Sequence, residues 1–291
     1  MIAVLLLLSI DSVLSAPVWS EVPGGKLYGI SGMVLLAKES PTEFLVVHDN
    51  WDDAEPRLGI VTPGSNPVRY RPLKWTTANP PDDLEAISSV PGKEGQFLAL
   101  SSNGWLYPLT VSKANVAPQT GFQLSKLPPK LDVEGLSVQK LAGQLVIAWG
   151  HRGAGTILGQ LYYGLLDLEK EKVTWFDKAE IKVDFPSPND PHTRHIADLK
   201  IDENGIVWAT ATNDPDPNAQ GQDKGPFVSA VYILGVLRAS KESVQFEVST
   251  QRAPLWIFDR KVEALELVPG RDGGIAFGAE DEDLGGWIYY K

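Results

Sequence analysis

Five polar residues occupy equivalent positions in a repeated sequence pattern. Each stands near the start of a short apolar segment, as in Leu84-Glu85-Ala86-Ile87. The five are Ser31, Glu85, Glu134, Asp198 and Glu263. Carboxylates that meet at one place repel one another, and burying their charge is costly unless protons or a cation neutralise it. The pattern therefore favours a site for a hard divalent ion, and Ca²⁺ suits an irregular ring of oxygens better than Mg²⁺ does.

Two other roles stay open for these five residues. They could bond backbone N–H groups of neighbouring strands around a water-filled channel, or they could act directly in acid–base catalysis. A single Glu-Ala or Glu-Gly dipeptide carries little information. The metal prediction rests on the recurrence of one position in five segments.

A second group of polar residues falls in loops that the same repeat places on one face. All four histidines of the chain are there: His48, His151, His192 and His195. The guanidinium groups of Arg152 and Arg194 match the geometry of carboxylate and phosphate oxygens. His151 or His195 could transfer a proton, because the ordinary pKa of imidazole lies near neutrality. We predict catalytic roles for Arg152, Arg194, His151 and His195; the alternative is a set of exposed residues that stabilise turns.

The elements that must position these residues are β-strands. Each of the five short apolar segments described above is followed by a turn and a second apolar run, such as Phe97-Leu98-Ala99-Leu100. A third strand comes after that run. No helical periodicity separates the runs. The repeat length of roughly 50 to 65 residues is near that of a four-stranded propeller blade. We predict an all-β, five-bladed β-propeller, in which the first strand of each blade lines a central channel. Six blades result if residues 174–183 belong to a separate blade.

Both ends of the chain bear on this architecture. The last repeat has three strands, and Val18-Trp19-Ser20-Glu21-Val22 is strand-like, so this segment can supply the missing fourth strand and close the ring. The apolar run before it, residues 1–15, predicts a signal peptide, and residues 16–291 form a single propeller domain. A short buried strand is the alternative for that run. We expect a secreted or periplasmic protein.

The composition of the chain excludes some classes of bound metal and argues against some classes of partner. The chain has no cysteine, which excludes disulfides and sulfur-ligated metals. Its net charge of −11 argues against nucleic acid and anionic membranes as partners. No other run is long enough to span a membrane, and we expect a monomer. Trp51, Trp105 and Trp256 either fill the wedges between blades or offer contact area to a ligand.

The repeated Glu-Ala/Gly-Leu/Ile strand with a serine in the first repeat resembles the calcium-activated nucleotidases, or apyrases. These are five-bladed propellers whose central calcium is held by Ser and Glu side chains at equivalent strand starts. The resemblance implies the same role for Ser31, Glu85, Glu134 and Glu263, with Asp198 departing from the family pattern. The strings around Glu85 and Glu134 also look like phytase-like or esterase-like propeller domains of exported bacterial proteins.

Three functions follow as expectations. The first is a calcium-dependent hydrolase of a phosphate ester or similar small anion at the channel mouth. The second is a non-catalytic propeller that binds a protein or glycan. The third is a lactonase-like or esterase-like enzyme. A fold alone does not decide among them.

Overall fold

The computed structural model describes residues 18–37, 41–112, 114–124, 132–187, 190–269 and 274–290. The predicted signal peptide, residues 1–15, lies outside these ranges. The first strands in chain order are β1 (Ser20–Glu21), β2 (Gly32–Ala37), β3 (Glu43–Val47), β4 (Leu58–Thr62), β5 (Arg69–Trp75), β6 (Leu84–Ser89), β7 (Gln96–Ser101), β8 (Trp105–Val111), β9 (Asn115–Pro118) and β10 (Phe122–Gln123). The others are β11 (Val133–Leu141), β12 (Gln144–His151), β13 (Gly159–Asp167), β14 (Lys172–Ile181), β15 (Thr193–Ile201), β16 (Ile206–Asn213), β17 (Ser229–Ala239), β18 (Val244–Val248), β19 (Trp256–Phe258), β20 (Val262–Leu267), β21 (Ile275–Glu280) and β22 (Gly286–Tyr289). Two single-turn 3₁₀ helices, Lys26–Tyr28 and Glu282–Leu284, accompany them.

These strands form antiparallel meanders of four strands. The described strands give five such units: β2 to β5, β6 to β9, β11 to β14, β15 to β18, and β20 to β22 with β1. Parallel pairing of β5 with β9 joins the first two meanders along their outer strands. Residues 174–183, which a six-bladed ring would need for a blade of their own, belong instead to the outer part of the third meander, where β14 pairs with β13.

The first strands of the meanders contact one another in a closed cycle. β2 contacts β6, β6 contacts β11, β11 contacts β15, β15 contacts β20, and β20 contacts β2. Each meander therefore turns its first strand toward a common axis, and we interpret each meander as a blade. The predicted all-β propeller is confirmed.

The N-terminal strand completes the last meander. Ser20 of β1 lies opposite Ile288 of β22, Glu21 lies opposite Trp287, and the N–H of Val22 donates to the carbonyl of Gly286 at 2.9 Å. Pairing of this kind covers a sheet edge that would otherwise expose unpaired backbone groups. Strand β1 thus takes the place that the sequence predicted for it.

Apolar side chains fill the wedges between adjacent meanders. In the described residues each of the five hydrophobic clusters joins two neighbours. Between the second and third meanders, for example, fully buried Trp149 stacks on Tyr162 with ring centroids 4.0 Å apart. Burial of such large side chains is the main source of stability for this packing.

Serine side chains connect the inner strands directly. The Oγ of Ser88 accepts the N–H of Val138 on the next inner strand, and the Oγ of Ser137 accepts the N–H of Ile201, both at 2.9 Å. Adjacent inner strands are not paired as a sheet, so these side chains satisfy backbone donors that would otherwise be buried without a partner.

Candidate functional site

A cavity of about 230 Å³ opens where the inner strands begin. Nearly all of its lining is polar or charged. The lining residues are Asp49, Asp83, Glu85, Ser102, Asp132, Val133, Glu134, Arg152, Arg194, Lys261, Glu263, Glu280 and Glu282. We call this space the acidic cavity.

Irregular pairing at the start of the inner strands places three of the predicted carboxylates in this cavity. Glu85 and Glu263 each fall at a shift in register, between residues that pair normally with the second strand. A bulge of this kind turns a side chain away from the ordinary alternation of the strand. In β11 the shift falls at Gly135, which follows Glu134. Gly135 has a φ of 70°, and a Cβ atom there would lie 2.8 Å from the backbone nitrogen of Leu199, so the close approach of β11 and β15 requires glycine.

The fourth inner strand contributes an arginine rather than a carboxylate. Arg194 pairs with Thr212, one step inside the end of β16, just as Glu134 pairs with Gly150 one step inside the end of β12. Its Nη1 lies 2.7 Å from Oε1 of Glu263 and 3.3 Å from Oε1 of Glu134. Its Nη2 contacts the carboxylate of Asp214. The guanidinium therefore sits between carboxylates of two other meanders.

Two more basic side chains complete this positively charged side of the cavity. Lys261 is only 2% exposed, and its Nζ lies 3.5 Å from Oε1 of Glu263 and 3.3 Å from Oδ1 of Asp214. It also contacts Glu282. Arg152 Nη1 lies 3.1 Å from Oε1 of Glu134. These ion pairs supply the neutralising charge that four converging carboxylates require.

The opposite side of the cavity is different, because acidic groups there face one another. Burial raises the pKa of Glu85 well above its ordinary value, and the negative charges of Glu134 and Asp49 raise it further. Burial likewise raises the pKa of Asp49 to about 6. Asp83 accepts a hydrogen bond from the Oγ of Ser102 and a second from the side chain of Glu85. These surroundings favour the protonated form of Glu85 over the ionised one.

Among the carboxyl groups near the basic residues, the pKa of one is lowered and the pKa values of two others are raised. Burial alone would raise the pKa of Glu263, but the charges of Lys261 and Arg194 outweigh it and lower the pKa. Burial raises the pKa of Glu280 well above its ordinary value, and its side chain hydrogen-bonds Glu263. Burial also raises the pKa of Glu134, to about 7, although Arg194 and Arg152 act in the opposite direction. One cavity therefore holds carboxyl groups pushed toward opposite protonation states.

Two members of the predicted five-residue set do not reach this cavity. Asp198 is fully buried, and its carboxylate accepts the backbone N–H of Leu265 at 2.8 Å and of Leu199 at 2.7 Å. Its role is the backbone-bonding one left open by the sequence. Ser31 is buried, and its Oγ has no hydrogen-bond partner among the described residues. The structure gathers Glu85, Glu134 and Glu263 and leaves Ser31 and Asp198 out.

This arrangement does not fit a calcium ion held by the predicted five residues. Ca²⁺ takes six to eight oxygen ligands. Two of the three gathered carboxylates already share an oxygen with Arg194, whose positive charge would repel a second cation at the same place. The side chain of Arg194 thus supplies the charge that the sequence assigned to a metal.

The predicted catalytic residues also separate into two groups. Arg152 and Arg194 line the acidic cavity, but both are paired with carboxylates rather than open to an anion. His151 and His195 are not among the lining residues. The Nε2 of His195, a buried side chain, lies 2.9 Å from the carbonyl oxygen of Gly155, and burial lowers its pKa. The Nδ1 of His151 accepts the N–H of Gly153 at 3.2 Å.

The other two histidines have local roles. His48 is buried and bonds the carbonyl of Gly29 and the hydroxyl of Tyr70, and burial lowers its pKa to about 4. The backbone N–H of His192 donates to Asp190. None of the four histidines is among the described lining residues of the acidic cavity, and the catalytic roles of His151 and His195 stay a prediction.

Sequence reasoning missed several residues of the cavity, although a signal for them exists. The residue two positions before each strand-start side chain is also polar: Asp83, Asp132, His192 and Lys261 precede Glu85, Glu134, Arg194 and Glu263. Three of these four preceding residues line the cavity. A search for two polar residues separated by one β-branched or apolar residue would have identified them and would have aligned Arg194, rather than Asp198, with the glutamates.

A second acidic cluster lies beside the cavity. Carboxylate oxygens of Asp214, Asp223 and Glu282 lie within 4.8 Å of one another, and all three side chains are partly exposed. Lys261 contacts both Asp214 and Glu282. The loop between β16 and β17, which holds Asp214 and Asp223, is thereby tied to the acidic cavity.

Comparison with known proteins identifies the fold. No family model and no curated protein matches the sequence. A thermostable family-43 glycoside hydrolase matches the structure with a TM-score of 0.50, at 10% identity, over 94% of this chain and 93% of that chain. That protein is a β-propeller. The specific resemblance to apyrases and phytase-like propellers is not confirmed.

Two other solved structures match less well. Sqt1 of Saccharomyces cerevisiae has a TM-score of 0.34 at 10% identity, over 87% of this chain and 58% of that one. The outer coat vertex of COPII on membranes has a TM-score of 0.42 at 10% identity, over 91% and 70%. Both scores are too low to support an inference. In the part of the chain that the structure describes, no helix is long and apolar enough to cross a membrane.

Proposed function

We propose that this propeller is a hydrolase that cleaves glycosidic bonds with a pair of carboxyl groups in the acidic cavity. The observation that carries the proposal is that Glu85 and Glu263 line one cavity, where burial raises the pKa of Glu85 while Lys261 and Arg194 lower that of Glu263. Carboxyl pairs whose surroundings push their pKa values apart are the usual acid and base of such reactions.

Glu85 is the general acid in this proposal. Its raised pKa favours a proton on the carboxyl group, and its side chain is partly exposed. The proton goes to the oxygen of the leaving sugar as the glycosidic bond breaks. A group with an ordinary glutamate pKa would have lost that proton already.

Glu263 is the general base. Lys261 and Arg194 keep it ionised although it is buried. It accepts a proton from the water whose oxygen bonds to the anomeric carbon, so that one water is consumed and both products leave with complete hydroxyl groups. Proton exchange with solvent then restores both carboxyl groups.

The charge of the cavity selects an uncharged substrate. Its described lining has eight acidic side chains and three basic ones, and the basic ones are paired with carboxylates. An anion such as a phosphate ester would be repelled. A sugar offers hydroxyl groups that donate to carboxylates and accept from Arg and Lys. The neighbour with the same fold is, by its name, a glycoside hydrolase.

The experiment is hydrolysis of a panel of 4-nitrophenyl glycosides by the wild-type protein and by Glu85→Gln and Glu263→Gln. We expect turnover of at least one glycoside and a loss of about 10²-fold or more in kcat for each variant. Glu247→Gln, on the exposed outer strand β18, is the matched control and should retain full activity. Turnover that persists in both cavity variants would overturn the assignment.

Calcium binding is the alternative that this experiment must separate. A divalent cation beside Glu85 would hold it ionised, which is incompatible with its role as an acid. A panel of phosphate esters and lactones, assayed with CaCl₂ and with a chelator, tests the functions expected from the sequence. Chelator-sensitive turnover of a phosphate ester, without turnover of any glycoside, would favour the calcium-dependent hydrolase.

A further inference from the structure

An exposed tryptophan lies in the loop that follows Asp49, a residue of the acidic cavity. Trp51 follows β3 and is 66% exposed, although most tryptophans in proteins are largely buried. It lies two residues after Asp49, which lines the cavity. The expected alternative, a tryptophan that fills the wedge between two blades, is therefore wrong for Trp51.

The loop that carries Trp51 is held rigidly by a buried arginine. Arg57 is 2% exposed, and it donates to the carbonyl oxygens of Trp51 (3.0 Å), Asp52 (2.9 Å) and Glu55 (3.2 Å). The carboxylate of Glu55 in turn accepts the N–H groups of Trp51 and Asp52, at 3.1 and 3.0 Å. Hydrogen bonds to a charged donor are stronger than neutral ones, so the backbone around Trp51 is well fixed.

The same contacts tie this loop to the side of the cavity that holds Glu85. The backbone N–H of Asp83 donates to the carbonyl of Asn50 at 3.1 Å. The side chain of Asn50 donates to the carbonyls of Leu27 (3.0 Å) and Pro56 (2.8 Å). Trp51 is thus anchored next to Asp83, which hydrogen-bonds Glu85.

An exposed indole on a well-fixed backbone is suited to binding. It presents a large flat apolar surface and has only two side-chain torsions to order, which is why tryptophan is prominent in binding sites. The acidic cavity, at about 230 Å³, is smaller than the roughly 300–1,000 Å³ of most ligand pockets. A ligand larger than one small unit must extend out of the cavity, and the loop that carries Trp51 bonds Asp83 of the cavity lining.

We propose that Trp51 binds the sugar unit next to the one cleaved in the cavity, so that the substrate is an oligosaccharide or polysaccharide rather than an isolated glycoside. This inference rests on the proposed glycosidase function. The C–H face of a sugar ring packs on the indole, and its hydroxyl groups at the ring edge stay in water. Trp51 is then a specificity residue that does not touch the reacting atoms.

The experiment compares kcat/KM for a 4-nitrophenyl monosaccharide with that for unlabelled di-, tri- and tetrasaccharides of the same sugar. We expect Trp51→Ala to lower kcat/KM for the longer substrates about tenfold, mainly through KM, and to leave the monosaccharide unchanged. Trp51→Phe should retain most of the preference in kcat/KM for the longer saccharides. Because the side chain is exposed, neither variant should change the melting temperature.

Trp256→Ala is the matched control. Trp256 is 38% exposed and stacks on Trp208, away from the lining of the acidic cavity. Its variant should behave as the wild type does at every substrate length. A loss in Trp51→Ala that is equal for all substrates, or no loss at all, would overturn the inference while Glu85→Gln still tests the hydrolase.

If the wild-type protein hydrolyses no glycoside, a binding measurement tests the role of Trp51 instead. Isothermal titration of the wild type with the same trisaccharides then decides the role of Trp51. Binding that is lost in Trp51→Ala and kept in Trp256→Ala retains the glycan site and removes the enzyme. No binding by the wild type overturns the glycan site as well and favours a protein partner for Trp51.

Discussion

The two ends of the channel use polar side chains in different ways. Where the inner strands begin, the acidic cavity of about 230 Å³ brings charged side chains against other charged side chains. Where they end, a larger cavity of about 700 Å³ has a mixed apolar and polar lining, and several of its polar side chains bond the backbone. The Nζ of Lys200, for instance, donates to the carbonyl of Ile87 at 3.0 Å and to that of Leu136 at 3.4 Å.

The two ends therefore differ in the kind of interaction that their polar side chains make. At the far end, hydrogen bonds from Lys200, Ser88 and Ser137 hold neighbouring inner strands together, which is a structural task. At the near end, several acidic and basic side chains pair directly, and the pKa values of Glu85 and Glu263 are shifted in opposite directions. We therefore place the proposed function in the smaller cavity.

Of the substitutions considered, removal of the Arg194 guanidinium should destabilise the near end of the channel most. Arg194→Met leaves the buried carboxyl groups of Glu134 and Glu263 without their shared partner. We expect a loss of about 3 kcal/mol in the free energy of unfolding at pH 7.5, measured by urea denaturation. Arg238→Met, which breaks the exposed pair with Glu247, should cause no measurable change.

The loss in Arg194→Met should depend on pH. Without Arg194 the pKa values of Glu134 and Glu263 rise, so the folded variant binds more protons than its unfolded chain does between the unfolded pKa and the new folded ones. Its stability is then fully present at low pH and falls as pH rises through that window. The deficit relative to wild type should be smaller at pH 5 than at pH 7.5. An equal deficit at both would show that Arg194 acts through packing and not through charge.

At the far end, loss of a serine that bonds the backbone should lower the free energy of unfolding by less, and by the same amount at each pH. Ser137→Ala removes the acceptor of the buried Ile201 N–H, and neither group titrates. We expect a loss of about 1 kcal/mol that is the same at pH 5 and pH 7.5. Ser89→Ala, at an exposed position of β6, should be neutral. A strongly pH-dependent loss in Ser137→Ala would remove the distinction between the two ends.

Much of the fold could be predicted from the sequence because the strand-start segments repeat locally. The apolar residues that follow Glu85, Glu134 and Glu263 identify the inner strands, and the strand-like segment around Ser20 correctly predicts closure. Strand pairing depends on such local patterns of apolar and turn residues, and these survive without knowledge of the tertiary structure.

The site was predicted only in part, because one irregular strand changes the register. In β15, three residues between Arg194 and Asp198 face a single residue of β16. This bulge moves Asp198 along the channel and brings Arg194 to the position of the glutamates. The local string around Asp198 gives no sign of it. The position of Trp51 depends on hydrogen bonds from Arg57 across the loop, which residue spacing cannot reveal.

The most direct test of the central claim is a ¹³C NMR titration of the glutamate carboxyl groups in the wild-type protein, with Glu85→Gln and Glu263→Gln used for assignment. We predict one carboxyl that titrates well above the ordinary glutamate pKa and disappears in Glu85→Gln, and one that titrates below it and disappears in Glu263→Gln. Two ordinary titrations near the value of an exposed glutamate would contradict the acid–base pair and the function built on it.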